Sequence, residues 1–210
     1  MEKDGFCAMF PTASWSGKEG RMQRRTKYFV WLLLPFAALS LVWSQEEAAI
    51  SGLPRFARVA DGLYRSGQPD AAGFQYLARL GVKTVIDLRG PGKRAQREQV
   101  LVESLGMRYV NIPLSGWRQP HDVEVLRVLT LLADPEARPI LVHCRRGADR
   151  TGVIIALYRI LYEGWDPERA YREMRAFGFR WYLRGMKRYV WEAPERLRAS
   201  LPTTVRAGHP

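Results

Sequence analysis

Cys144 and Arg150 stand six residues apart in the run His143-Cys144-Arg145-Arg146-Gly147-Ala148-Asp149-Arg150-Thr151-Gly152. A thiol and a guanidinium at that spacing can carry out nucleophilic chemistry on a phosphate. The preceding residues 139–143 (PILVH) read as a short buried strand, and residues 151–161 (TGVIIALYRIL) read as an apolar helix. The loop between them therefore lies at a helix N-terminus, where unpaired N–H groups and the helix dipole favour an anion. The same field favours the thiolate, so Cys144 is predicted to be a nucleophile at neutral pH. Arg150 can fold back and hold two phosphate oxygens as a planar fork, stabilising the charge that grows in the transition state. Gly147 and Gly152 permit positive φ and close backbone approach, turning the N–H groups of the loop inward as a nest. The predicted phosphate-binding set is Arg145, Arg146, Gly147, Ala148, Asp149 and Arg150. Thr151 can hydrogen-bond the sulfur and help it leave, and His143 is expected to orient the loop through backbone contacts.

This run resembles the Cys-x5-Arg signature of the cysteine-dependent protein phosphatases. The resemblance extends upstream through Leu63-Tyr64-Arg65-Ser66-Gly67-Gln68-Pro69 and residues 80–89 (LGVKTVIDLR), which are similar to the opening of atypical dual-specificity phosphatases of bacteria, fungi and plants. It covers roughly residues 55–178. It implies hydrolysis of phosphotyrosine, phosphoserine or phosphothreonine through a phosphocysteine intermediate, with no metal and no cofactor. It also implies an α/β fold like that of the protein tyrosine phosphatases: a central, mostly parallel sheet flanked by helices, with the loop between a strand and a buried helix. Two alternatives stand beside it: a phosphoinositide or inositol phosphate phosphatase, and a module that binds phosphate without turning it over. A rhodanese-like sulfur carrier fits less well, because the loop ends in Arg-Thr-Gly.

The elements that must position the loop are legible from capping and periodicity. Asp70 caps a helix over 71–80 with Gly81 as its stop, and a β-branched strand covers 82–88. A helix over 94–105 ends at Gly106, a strand covers 108–113 and a helix covers 122–133. Asp166-Pro167 opens a helix running to Phe177 and stopping at Gly178, and a further helix is expected over 184–199. Alternating strands and helices imply a parallel sheet with its ligand at the strand C-termini.

Expelling an alkoxide calls for a proton donor, which in this superfamily is a loop aspartate. Where many dual-specificity members carry it, this chain reads Asn111-Ile112-Pro113-Leu114-Ser115-Gly116-Trp117, with no carboxylate. Two candidates remain open. Asp122 follows a proline before a helix, as in the fungal and plant group, although Asp in that place is also an ordinary N-cap. Asp149 precedes the signature arginine, as in some lipid phosphatases of the superfamily, and could instead hold the loop through backbone N–H bonds. Asp87 and Arg89 could line the cleft or form an ion pair. Trp117 could touch substrate or simply pack.

The chain of 210 residues carries a formal charge of +12. Arg145 and Arg146 face an incoming substrate and suggest a polyanionic one. The basic and aromatic residues of 169–189 could meet an anionic membrane surface, or form a solvated face over buried rings. Nothing resembles a nucleic-acid-binding motif. The expected partner is a phosphorylated protein, or an anionic phosphorylated small molecule or lipid.

Residues 24–27 (RRTK) precede a mostly apolar stretch, 28–43, and a polar turn after Ser44. That pattern predicts an export signal over 22–44, cleaved or kept as a membrane anchor, and places the catalytic domain (45–200) outside the cytoplasm. Residues 1–21 read as an extension before a start at Met22, and 201–210 as a disordered tail. Cys7 and Cys144 are the only cysteines, so an exported domain holds no disulfide and Cys144 stands alone.

Overall fold

The computed structural model describes residues 52–201. The predicted extension, the export signal, Cys7 and the tail beyond Leu201 lie outside the described residues. Among the described residues, no helix is long and apolar enough to cross a membrane.

In chain order the elements are β1 (Ala57–Ala60), β2 (Leu63–Ser66), α1 (Ala71–Arg79), β3 (Thr84–Asp87), α2 (Lys93–Ser104), β4 (Arg108–Asn111), α3 (Asp122–Ala133), β5 (Ile140–His143), α4 (Arg150–Tyr162), α5 (Pro167–Ala176), α6 (Arg184–Glu192) and α7 (Pro194–Ser200). The five strands form one sheet in the order β1-β2-β5-β3-β4. Only the β1–β2 pair is antiparallel; β2–β5, β3–β5 and β3–β4 run parallel. β5 is therefore the central strand, buried on both faces, and the loop after it opens at the C-terminal edge of the sheet.

Period-two alternation sorts the strand residues between two cores. Ile140 and Val142 of β5 and Ile86 of β3 face the larger core, built with α3, α4, α6 and α7. Leu141 and Val85 face the smaller one, with Phe74 and Leu77 of α1 and Val102 of α2. On α3, the buried residues Val125, Val128, Leu129 and Leu132 form one stripe at helical spacing. Nearly all of α4 is buried, as befits a helix packed among α3, α5, α6 and α7. Its N-terminus is thereby fixed beneath the catalytic loop.

The helix boundaries follow their caps. Asp70 accepts the Gly73 N–H and Asp166 accepts the Arg169 N–H, while Gly81, Gly106 and Gly178 take positive φ just past α1, α2 and α5. Three expectations need correction. The strands are shorter than predicted, four residues each. The single helix expected over 184–199 is two, α6 and α7, because Pro194 has no N–H to continue the ladder. The β1–β2 hairpin was not anticipated from the sequence, yet Asp61-Gly62 between its strands is a two-residue turn signal, with Gly62 at φ 60°.

Candidate active site

The loop of residues 144–149 is shaped from the side of β2. Three consecutive carbonyls are turned outward onto donors from one segment: the Gln68 N–H donates to Arg145 O (3.3 Å), Arg55 Nη1 to Arg146 O (3.1 Å) and Arg65 Nη2 to Gly147 O (2.9 Å). With its carbonyls held away, the loop can aim N–H groups at a ligand. The Gly147 N–H already donates to Cys144 Sγ at 3.3 Å. Gly147 sits at φ 72°, and a Cβ there would collide with the backbone of Ser66 and Gly67. Glycine is thus required twice over, by conformation and by space.

Cys144, Arg145, Arg146, Asp149 and Arg150 line a cleft of about 160 Å³, closed on its other side by Gly116, Trp117 and Arg180. The predicted nucleophile and its arginine are brought together. Arg150 Nη1 donates to Leu88 O at 3.2 Å, and Gly116 lies across the cleft from its guanidinium, where a Cβ would sit 4.0 Å from Arg150 Cζ. Ala148 is fully buried and serves by its backbone. Arg146 leans toward Asp149 (3.6 Å).

Several predicted roles change. Gly152 lies within α4 without positive φ, and a Cβ there would make only ordinary contact with Met174 at 3.6 Å, so neither conformation nor space demands glycine at this position. Thr151 is buried, and its Oγ1 makes no hydrogen bond, to Cys144 Sγ or otherwise. His143 does more than hold backbone: its Nε2 lies 2.9 Å from Glu98 Oε1 and its ring is fully buried. Glu98 also meets Arg89 Nη2 at 2.7 Å, and Arg89 grips Asp87 through both Nε and Nη2. Tyr109 donates to Asp87 Oδ2 as well. Asp87 and Arg89 are therefore a buried ion pair under the strand ends, and neither lines the cleft. Burial pushes the Asp87 carboxyl up, but Arg89, His143 and Tyr109 outweigh it and hold it below the usual carboxylate range. Asp87, Glu98 and His143 bring ligand atoms within 4.8 Å of one another, a spacing that could suit a metal. The cation that bridges the two carboxylates is the Arg89 guanidinium.

Both acid candidates are held by arginines. Asp122 is the first residue of α3, with His121 as N-cap, and it does not line the cleft. Arg196 Nε donates to its Oδ2 and the Tyr189 hydroxyl to its Oδ1, both at 2.7 Å. Arg196 chiefly, with Tyr189, holds this carboxyl below its ordinary range against a smaller opposing effect of burial, which opposes a role as proton donor. Asp149 does line the cleft. Its Oδ1 accepts the Arg180 N–H (3.1 Å) and its Oδ2 accepts Arg180 Nε (3.0 Å), so it ties the catalytic loop to the α5–α6 connection. The expected bonds from its own loop are replaced by this longer-range clamp.

Arg65 and Arg180 hold the loop through Gly147 and Asp149, and the sequence did not single them out. Arg65 was legible only as part of the Tyr-Arg-Ser-Gly-Gln-Pro motif, and Arg180 only as one cation of a basic stretch. Much of that stretch is spent internally: Arg169 stacks on Trp165, Lys187 on Tyr171 and Trp191, and Arg175 donates to Phe179 O.

A family model described as DSP-PTPase phosphatase fused to NAD+ kinase matches residues 50–182. The chain is 38% identical over 144 residues to the dual specificity protein phosphatase TpbA of Pseudomonas aeruginosa, covering 68% of this chain and 62% of that relative. It thus spans less than two thirds of the curated relative's length. It is 28% identical over 139 residues to the inositol diphosphatase DSP5 of Arabidopsis thaliana, covering 64% of this chain and 67% of the relative. Among solved structures, a cysteine-to-serine form of TpbA in complex with pTyr superposes with a TM-score of 0.60 at 30% identity, over 73% of this chain and 98% of the other.

Proposed function

The chain belongs to the DSP-PTPase family, and we propose that it is a cysteine-dependent phosphatase that hydrolyses phosphate monoesters through a phosphocysteine intermediate. The observation that carries this reading is Cys144 Sγ at the centre of a loop whose carbonyls 145–147 are all bonded outward, with Arg150 lining the same cleft.

In the first step the Cys144 thiolate attacks phosphorus, a P–S bond forms and the ester P–O bond breaks. The inward loop N–H groups and the Arg150 fork hold the three non-bridging oxygens as their charge grows. In the second step water attacks phosphorus, the P–S bond breaks, Cys144 leaves as thiolate and inorganic phosphate departs, the proton lost by the water passing to bulk solvent.

Among the described residues the one carboxylate lining the cleft, Asp149, has both oxygens engaged by Arg180. That arrangement suits leaving groups that depart without a strong proton donor, such as the phenolate of phosphotyrosine, better than the alkoxides of phosphoserine and phosphothreonine. A phosphate leaving group meets the same condition. Arg145 and Arg146 at the mouth, together with the likeness to an inositol diphosphatase, therefore support a second reading in which the substrate is an inositol phosphate carrying a diphosphate.

The deciding measurement is phosphate release from phosphotyrosine peptides, phosphoserine peptides and inositol phosphates by the full chain. Vanadate-sensitive release that disappears in Cys144→Ser supports the enzyme. Tight phosphate binding without release would make the chain a binding module instead.

The apolar stretch 28–43 behind RRTK supports export of the domain, with cleavage after Ser44 or retention as a membrane anchor beside anionic lipid. Fractionation combined with intact mass of the native protein tests this: a cytoplasmic chain of full mass would refute export.

A further inference from the structure

Arg65 is 1% exposed, yet among the described residues it has no carboxylate within ion-pair distance. The buried Arg89 shows the contrast, with Asp87 and Glu98 both at 2.7 Å. Of the Arg65 nitrogens, Nη2 donates to Gly147 O, while Nε and Nη1 are buried without a hydrogen-bond partner. The guanidinium lies flat on the Phe177 ring, 3.7 Å from its centroid. A buried charge left in this state is costly unless something nearby answers it.

The charged groups that face Arg65 come from three places. Glu173 of α5 attracts it, but both Glu173 oxygens are taken by Arg159 of α4, at 3.0 and 3.3 Å, and Arg159 itself repels Arg65. After Glu173, whose attraction is the larger, the other group whose negative charge would favour the Arg65 guanidinium is Cys144, in the loop above it. The connection to it is short: Arg65 donates to the carbonyl of Gly147, and the N–H of Gly147 donates to Cys144 Sγ. Burial dominates the balance and pushes the Arg65 guanidinium down to about 10, which still leaves it charged at neutral pH.

We propose that Arg65 is a positioning residue that supplies the buried counter-charge of the Cys144 thiolate from beneath the loop, while pinning Gly147 so that its N–H faces the sulfur. The coupling is mutual. The cation favours the thiolate, and the thiolate relieves a buried cation whose one hydrogen bond is to Gly147 O and whose nearest attracting carboxylate, Glu173, is already engaged by Arg159.

Two variants separate charge from hydrogen bonding. Arg65→Gln keeps a donor near Gly147 without charge, and Arg65→Lys keeps charge without the planar fork. The readout is the pH midpoint of thiolate absorbance near 240 nm in the unliganded full chain, with Cys144→Ser as blank, alongside the acid limb of kcat/KM. The midpoint is expected to rise by about one pH unit or more in Arg65→Gln and to stay closer to wild type in Arg65→Lys. Alkylation of Cys144 by iodoacetamide below that midpoint should fall about tenfold in Arg65→Gln. Folded variants that both keep the wild-type midpoint, whatever their turnover, would overturn the proposal.

Should Arg65→Gln fail to fold, the wild-type protein carries the test. The Arg65 Nε–H resonance should shift with pH in step with the thiolate absorbance and become flat in Cys144→Ser. A resonance indifferent to Cys144 but displaced by Glu173→Gln would assign the counter-charge to Glu173 and refute the proposal.

Discussion

The two sides of the catalytic loop are built differently. Beneath it lie Arg65, Asp87 and His143, none more than 1% exposed, together with a backbone of carbonyls and N–H groups fixed by partners from β2 and the strand ends. On the open side, Trp117 is 68% exposed and Tyr182 48%; the Arg180 guanidinium lies 4.7 Å from the Trp117 ring centroid and 5.5 Å from that of Tyr182, against which the 64% exposed Trp181 packs edge to face. The underside resembles a protein core, in which moving one group leaves another unsatisfied. The mouth is a solvated surface where side chains can be exchanged at small cost. On the proposed function, reactivity is seated on the packed side of the loop and substrate contact on the solvated side.

The largest effect that would test this contrast is at the nucleophile. Cys144→Ser should lower turnover by more than about 10³-fold while leaving the fold intact, measured by phosphate release and by circular dichroism. Next is the buried network. Glu98→Leu removes one carboxylate from Arg89 and His143, and should cost about 3–5 kcal/mol in denaturant unfolding, far more than any change at the mouth. Gly147→Ala should cost about 1–3 kcal/mol from its φ alone, with a further loss of turnover as the loop is pushed off Ser66 and Gly67.

The same network sets a pH dependence. The Asp87 carboxyl is held below its unfolded value, so its contribution to stability is fully present above about pH 4 and is lost as pH falls through the lower, folded value. Unfolding midpoints measured from pH 7 down to pH 2 should show this loss, and Asp87→Asn should flatten it.

At the mouth the effects should be smaller. Trp117→Ala is expected to raise KM for aryl phosphates a few-fold, by about 1 kcal/mol or less, with little change in stability. The smallest effect belongs to Asp122→Asn: loss of a half-exposed pair with Arg196 should cost below about 1 kcal/mol and should slow alkyl and aryl phosphates equally. A selective loss on alkyl phosphates would return Asp122 to the role of acid and blur the division between the two sides.

Local order was readable where one residue acts on its immediate neighbours. Asp70 and Asp166 cap α1 and α5 through N–H groups three residues on, and Cys144 and Arg150 share a loop, so spacing alone brought them together. Pro194, which has no N–H to continue a helix, marks a break of the same local kind within 184–199. Asp122 shows the limit. The helix start was readable there, but His121 and not Asp122 is the N-cap, and the Asp122 partners Tyr189 and Arg196 lie 67 and 74 residues away.

By itself the sequence determined the spacing of Cys144 and Arg150, the strand–loop–helix that carries them and the alternation of strands with helices along the chain, because each depends on local geometry and periodicity. Only the tertiary structure decided that Asp149 is clamped by Arg180, that Glu98 backs His143, and that Arg65 enters the core beneath Gly147. Those assignments depend on which charges meet once the sheet has closed around β5. Burial then sets the strength of each meeting, and neither partner's neighbours in the chain record it.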